Sequence, residues 1–313
     1  VNARAIVVVG GGGLLGSAIR AEVGSRGGRS VHPSVPWGTP GAATAIVGAA
    51  RAAAATSADG WSLSWCAGLG VAGAAAEDLD TEIATIRAVV DAVLAGDAPV
   101  PKAVFFASSA GATYAGSVSP PFTEWSPTTP LGDYGAAKLR AETELARLAA
   151  VAPVLLGRIA NLYGPGQNLA KNQGLVSRLC LSNTRQQPIG VYVSLDTLRD
   201  YLFVDDCAEL VCDAMQRLEE TWAGAGAAPV VKIFASQQAV SIAHLLGECR
   251  RVFGRRVLVR MASSSLANQQ ARDLRLRSVV WPELDRRQLT TLAHGIHATS
   301  EQVRRTIAEG RGG

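Results

Sequence analysis

Tyr134 and Lys138 stand four residues apart in Tyr134-Gly-Ala-Ala-Lys138, at the opening of a helical pattern over 134–150. Side chains at i and i+4 share a helix face, so the ammonium can lie beside the phenol. A free phenol, with a pKa of about 10, exchanges protons poorly at neutrality. A neighbouring cation favours the phenolate, and a fall of about three units is worth roughly 4 kcal/mol between the two forms. A tyrosine so placed can trade a proton with a carbonyl or alcohol while a hydride moves to or from a nicotinamide. Upstream, the apolar run 103–107 ends in Ser108-Ser109, hydroxyls at the carboxyl end of a strand. Open α/β sheets bind ligands at that end, although serines also serve there as caps and turns. The Tyr-x-x-x-Lys spacing recurs by chance in many chains and takes its meaning from what must surround it.

The surroundings begin at the N-terminus, where Ile6-Val7-Val8-Val9 runs straight into Gly10-Gly11-Gly12-Gly13-Leu14-Leu15-Gly16. The β-branched run suits a buried parallel strand, and glycine lets backbone approach a pyrophosphate closely. The helix that opens at Leu14 then offers free N–H groups and a positive dipole end to the phosphates. Gly10, Gly13 and Gly16 have the spacing G-x-x-G-x-x-G, a variant of the dinucleotide fingerprint.

Apolar runs and helical patterns alternate from there. Strands are expected near 5–9, 30–36, 62–67, 102–107 and 154–159, with helices near 14–24, 42–56, 77–95 and 134–150. This alternation predicts an α/β fold, a doubly wound parallel sheet covered on both faces. The segment Pro36-Trp37-Gly38-Thr39-Pro40 leads into a helix, and no segment reads as the usual third strand before 62–67. After Asn161 come Gly/Pro/Asn-rich loops over 163–174, then helices near 175–183, 205–218 and 241–253 and strands near 189–193 and 230–234. Residues 1–162 are expected to bind the dinucleotide. Residues 163–313 are expected to form mainly a smaller substrate-binding lobe, with segments returning to the first domain.

Composition bounds the rest. The 313 residues are 48% hydrophobic and 18% charged, which describes a globular chain with a substantial core. No run reaches the length of a membrane span, and the first residues lack the pattern of an export signal. Five scattered cysteines, Cys66, Cys180, Cys207, Cys212 and Cys249, suit a reducing compartment such as the cytoplasm better than a disulfide framework. Cys207 and Cys212 lie close, but no nearby histidine completes a metal set, so no metal is expected. The net charge of +4 is modest. The late arginines, Arg250 to Arg277, have no interleaved aromatics and read as a solvated face, not a nucleic-acid surface.

In order, the chain carries Gly10-x-x-Gly13-x-x-Gly16, Cys66-Ala67-Gly68, the run from Ser108 to Tyr114, and Tyr134-x-x-x-Lys138. Arg158-Ile-Ala-Asn161-Leu-Tyr163-Gly-Pro-Gly-Gln167 and Arg199-Asp-Tyr-Leu-Phe-Val-Asp205-Asp206 follow. Taken together these resemble, over nearly the whole chain, the extended short-chain dehydrogenase/reductase family, the NAD-dependent epimerases/dehydratases. The resemblance implies a Rossmann domain and a Ser–Tyr–Lys site. Ser109 would bond the reacting oxygen, Tyr134 would be the acid/base, and Lys138 would hold the nicotinamide ribose. Gly10, Gly13, Leu14, Leu15, Gly16, Ala67 and Gly68 would line the cofactor. Asn161 and Arg199 would contact the diphosphate of a nucleotide-activated sugar; the structural alternative for Arg199 is a salt bridge to Asp200 or Asp205. The family often pairs through a helical bundle containing the tyrosine helix, which leaves a homodimer open, with Leu139, Leu145 and Leu148 serving that surface or the core.

Three departures from the family pattern matter. The usual catalytic hydroxyl position holds Ala110, so Ser109 serves only with a small shift of the strand end; Ser108 and Thr113 are the other candidates. Gly111 and Ala112 stand where dehydratases carry an Asp-Glu pair, which disfavours water elimination. Between Glu22 and Asp59 there is no carboxylate to hold the adenosine ribose, which leans the cofactor to NADP over NAD, with Arg29 or Arg51 as partners for a 2′-phosphate. The expected activity is NAD(P)-dependent hydride transfer on a nucleotide sugar, with keto-sugar reduction ahead of epimerisation. A 4-epimerase with tightly bound NAD and a non-catalytic dinucleotide-binding sensor or scaffold are the alternatives.

Overall fold

The computed structural model describes residues 5–68, 76–170, 174–262 and 271–310. The first half lays down β1 (Ala5–Val9), α1 (Leu14–Ser25), β2 (Arg29–Val31), α2 (Gly41–Ala55) and β3 (Trp61–Trp65). α3 (Ala76–Leu94), β4 (Val104–Ser109), the single turn α4 (Ala110–Thr113), α5 (Asp133–Ala146) with a 3-10 turn at Arg147–Ala150, and β5 (Val154–Ile159) complete it. The second half holds β6 (Asn161–Tyr163), α6 (Leu175–Arg185), β7 (Ile189–Val191), β8 (Leu198–Arg199), β9 (Tyr201–Phe203), α7 (Val204–Glu220) and β10 (Val230–Phe234). β11 (Val240–Ser241), α8 (Ile242–Phe253), β12 (Val259–Met261), β13 (Asp273–Leu274) and α9 (Leu292–Ala308) end the chain.

Six strands form one sheet in the order β10-β5-β4-β3-β1-β2, and every neighbouring pair is parallel. A parallel sheet needs cover on both faces, and strand alternation sorts the residues accordingly. Val7 and Val9 face the layer of α2, α3 and α5, meeting Ile46, Ile86, Val90, Leu145 and Leu148. Ile6 and Val8 face the layer of α1 and α7, meeting Leu15, Ile19, Val211 and Leu218. Leu145 and Leu148 are therefore core, each fully buried, while Leu139 is half-buried. The outer surface of α3 and α5 instead carries the ion pairs Arg87–Glu144, Arg140–Asp80 and Arg147–Asp91.

The sheet ends at β2, and among the described residues no strand lies beyond it. β2 itself stops at Val31, short of the expected 30–36, because Pro33 and Pro36 cannot donate to a ladder. Trp37 folds back edge-on against Trp65 of β3, ring centroids 6.4 Å apart at 68°, and packs onto the core on that face of the sheet. From there α2 leads directly to β3.

β10 returns from the second half to pair with β5, and α7 packs on the sheet face beside α1. α6, α8 and α9 surround a separate core of Tyr163, Leu179, Cys180, Leu245, Cys249 and Ile296. Three small ladders, β11-β8-β13, β12-β7 and β6-β9, accompany it. Of the expected loop 163–174, residues 171–173 lie outside the described residues. Among the described residues no helix is long and apolar enough to cross a membrane, and no group of His, Cys, Asp and Glu is arranged to hold a metal ion.

Candidate active site

Register fixes where the motif loops emerge. Val9 pairs with Trp65, Trp65 with Phe106, and Ser109 with Ile159. Gly10, Ala67-Gly68, Ser109 and Asn161 thus leave the sheet along one carboxyl edge. β1 has β2 on one side and β3 on the other, so the winding reverses at the strand that feeds the glycine turn. Such a reversal opens the crevice where doubly wound sheets bind ligands.

The turn is built for close approach. Gly10 has φ +80°, and a Cβ there would stand 2.5 Å from the Ala67 nitrogen. A Cβ on Gly16 would stand 2.3 Å from the Gly10 oxygen, so the helix lies tight on the turn. Gly12, by contrast, faces open space, with nothing within 4 Å of its Cβ position. Gly13 caps α1 without a side-chain hydrogen bond, and the first turn carries no acid. The leading amides and the dipole of α1 are thereby directed at the crevice without competition from a cap, which fits a pyrophosphate.

Ala67-Gly68 links this turn to the tyrosine. Gly10 abuts Ala67, and a Cβ on Gly68 would lie 3.5 Å from Lys138 Nζ. Lys138 is buried on α5, its ammonium 4.9 Å from the Phe106 ring centroid and 5.8 Å from that of Tyr134. Tyr134 is half-buried, packed against Leu79, Ile83 and Ala137. Glu82 of α3 adds a carboxylate outside the motifs, 3.7 Å from Lys138 Nζ. Its signal was there: Glu82 falls on the apolar stripe of Leu79, Ile83, Ile86 and Val90, where a solvated acid has no place.

The three candidate hydroxyls part company. Ser108 is buried and donates to Glu142 Oε1 at 2.6 Å. Thr113 is fully buried and donates to the Ser109 carbonyl. Ser109, the last residue of β4, is half-buried and accepts from the Ala112 amide at 3.3 Å, leaving its own proton to give. Behind it, Glu142 takes two hydrogen bonds from Arg158, whose Nη1 donates to Tyr114 Oη at 2.8 Å. Burial works against the Arg158 cation, but the Glu142 carboxylate outweighs it and holds the guanidinium charged. That network braces the end of β4 from below.

Residues 66–225, about half of the chain, match the NAD dependent epimerase/dehydratase family. The chain belongs to that family. Among curated relatives, a dTDP-4-dehydro-6-deoxyglucose reductase of Escherichia coli is 32% identical over 111 residues, 34% of each chain. A dTDP-L-rhamnose 4-epimerase of Burkholderia thailandensis is 32% identical over 94 residues, 29% of this chain and 26% of the relative. These matches span about a third and about a quarter of the length of the relatives. Among solved structures, a UDP-glucose 4-epimerase of Thermotoga maritima superposes with TM-score 0.78 at 19% identity, covering 97% of this chain and 99% of that one. A Thermus thermophilus UDP-glucose 4-epimerase in complex with NAD gives the same score and identity over 96% and 99%. At that identity the likeness establishes the fold, an epimerase/dehydratase Rossmann sheet.

Asn161 and Arg199, the residues expected at a diphosphate, are neighbours beyond β5, joined through Asp200. Asn161 follows β5 and is exposed; both its backbone N–H and its Nδ2 donate to the Asp200 carbonyl. Arg199 is 7% exposed, and its Nη1 donates to the Leu198 carbonyl. Burial lowers the Arg199 pKa. Asp200 does not serve as its counter-ion: the carboxylate accepts the Ser236 amide at 2.8 Å, and burial raises its pKa. On the cofactor side, Arg29 and Arg51 are not at the turn. Arg29 bonds Thr56 and Arg51 bonds the Asp97 carbonyl. The nitrogen-bearing side chains that do reach the glycines are Arg20, whose Nη1 donates to the Gly11 carbonyl at 3.2 Å, and His32, which leaves β2 directly against Gly11.

Proposed function

We propose that this protein is a cytoplasmic NAD(P)-dependent enzyme that moves a hydride at a ring carbon of a nucleotide-activated sugar, working chiefly as a keto-sugar reductase. The observation that carries this reading is the shared wall of the crevice, in which Gly10 lies tight against Ala67, and Gly68 is one methyl's width from Lys138 beside Tyr134. When bound, a nicotinamide dinucleotide supplies the hydride. Ser109 donates to the substrate carbonyl oxygen, and Tyr134 delivers a proton to that oxygen as it becomes an alcohol. Lys138 holds the ribose hydroxyls and steadies the phenolate left on Tyr134, which regains its proton from solvent. Asn161 and Arg199 hold the diphosphate. Residues 1–162 carry the dinucleotide and residues 163–313 mainly the sugar nucleotide. The five free thiols fit a reducing compartment.

Reduction is favoured over epimerisation by the adenosine end of the crevice. No carboxylate lies between β2 and Asp59, and no third strand widens the sheet among the described residues. A reductase exchanges its cofactor at every turnover and can hold it loosely, whereas an epimerase keeps NAD through oxidation and re-reduction. Arg20 and His32 at Gly11 suit a 2′-phosphate, which supports NADP. The test mixes purified protein with a dTDP-4-keto-6-deoxy sugar and either NADPH or NADH and follows nicotinamide absorbance. NADPH should be consumed one for one with product, and His32→Ala should raise KM for NADPH more than for NADH. Protein that carries stoichiometric NAD and interconverts a sugar nucleotide without added cofactor would refute the reductase.

A further inference from the structure

Lys138 has two neighbours that compete for its charge. Tyr134 lies on the same helix face; Glu82 approaches from α3, its Oε1 3.7 Å from Nζ, with side chains only 7% and 6% exposed. Glu82, Tyr134, Ala137 and Lys138 line one small cavity with Leu79, Ile83 and Ala141. A structural ion pair in such a place closes to the 2.7–2.9 Å of a charge-assisted hydrogen bond. This pair does not: Lys138 donates no hydrogen bond among the described residues, and the carboxylate stands about an ångström further off. The ammonium therefore lies within reach of the Glu82 charge without closing a short hydrogen bond to it.

The other groups packed around Lys138 cannot play that part. From β4 comes the Phe106 ring. From the loop after β3 comes Cys66, whose thiol burial pushes up to about 12, so it is neutral. One turn along α5, Glu142 is taken by Arg158 and Ser108. Among the described residues Glu82 is the single carboxylate within ion-pair distance of Lys138.

We infer that Glu82 is a positioning residue of this site, a counter-ion that offsets Lys138 and keeps the Tyr134 phenol protonated, ready to give its proton to a carbonyl oxygen. The inference rests on the proposed reductase and deepens it. An unopposed ammonium would favour the phenolate, the form that accepts a proton in alcohol oxidation. With Glu82 in place, the field at the phenol is that of an ion pair rather than a free cation, and the site is set toward reduction.

The test is ultraviolet titration of tyrosine in the substrate-free protein, comparing each variant with its Tyr134→Phe partner so that the difference isolates Tyr134. In Glu82→Gln the ionisation midpoint of Tyr134 should fall by about one pH unit. Glu82→Met should give the same shift, and Glu82→Asp should restore most of the wild-type midpoint. The alkaline limb of kcat for reduction should move down in step, with KM for the keto-sugar unchanged. A Tyr134 midpoint that is the same in wild type, Glu82→Gln and Glu82→Met would overturn the inference. The titration needs no turnover, so a moved midpoint in a protein that reduces nothing would uphold Glu82 and refute the reductase instead.

Discussion

Gly10→Ala should damage the crevice at its most crowded backbone contact. The residue has φ +80°, and the new methyl would stand 2.5 Å from the Ala67 nitrogen, 2.6 Å from its Cα and 2.9 Å from the Cys66 carbonyl carbon. Left-handed backbone costs a residue with a Cβ about 1–2 kcal/mol. The methyl also sits roughly 1 Å inside ordinary contact with atoms that have no rotamer to escape into, an overpacking cost of about 1–3 kcal/mol. Together these give a loss of about 2–5 kcal/mol, relieved only by pushing Ala67-Gly68 toward Lys138. Gly12→Ala is the matched control, since its methyl meets nothing within 4 Å and its φ is unexceptional. Urea unfolding and dinucleotide titration by quenching of tryptophan fluorescence would separate the two. Gly10→Ala should be less stable and bind dinucleotide at least about 100-fold more weakly, while Gly12→Ala should unfold as wild type does. Equal stability and binding in Gly10→Ala and wild type would refute the packing argument.

Other consequences follow from buried charge. Arg158→Met strips the guanidinium from Glu142 and Tyr114 and should cost about 3–5 kcal/mol in urea unfolding, with part regained in Arg158→Met/Glu142→Met; a loss below about 1 kcal/mol would show that the pair is not a brace. Asp213 is bonded by Arg26 and Arg287; burial works to raise its pKa, but these hydrogen bonds outweigh it and the net shift is downward. A depressed carboxylate stabilises the fold above its unfolded pKa of about 3.9 and loses that contribution as pH falls through the lower folded value. Asp213→Asn should therefore melt below wild type at pH 6, by about 1 kcal/mol or less for so exposed a bridge, with the difference vanishing near pH 2; a difference independent of pH would contradict the linkage. Cys66 and Cys249, both pushed up to about 12 by burial, should resist alkylation in the native protein at pH 8 and react only on unfolding.

What the sequence disclosed and what it withheld divide along the range of the interactions. The strand into Gly10, the helix from Leu14 and the Tyr134/Lys138 face are local patterns, and each stands where its periodicity puts it. The missing third strand was legible too, because Pro33, Pro36 and Pro40 forbid a ladder whatever the tertiary context. β4 runs two residues past its expected end at 107, because β5 continues beside it to Ile159, and that makes Ser109 its last residue. Two-residue strands such as β8, β11 and β13 leave no periodicity to read; they exist because a second lobe presents them with partners. The nitrogen-bearing side chains facing the glycine turn depend on helix packing and on the exit of β2, so Arg29 and Arg51 were plausible by position while Arg20 and His32 are the ones that arrive. Leu145 and Leu148 are buried for a similar reason: both pack into the core on the α2, α3 and α5 face of the sheet. Glu82 was visible only as an anomaly, an acid on an apolar stripe, until α3 and α5 met.

The account turns on Tyr134 giving its proton to a substrate held over a dinucleotide at the glycine turn. Tyr134→Phe removes one oxygen from a half-buried ring whose packing against Leu79, Ile83 and Ala137 is otherwise unchanged. Single-turnover reduction of a keto-sugar nucleotide by NADPH, with the cofactor affinity measured in parallel, is the decisive measurement. The account predicts a fall in rate of about 100-fold or more with dinucleotide affinity within about threefold of wild type. A Tyr134→Phe protein that reduces the substrate at the wild-type rate would contradict it.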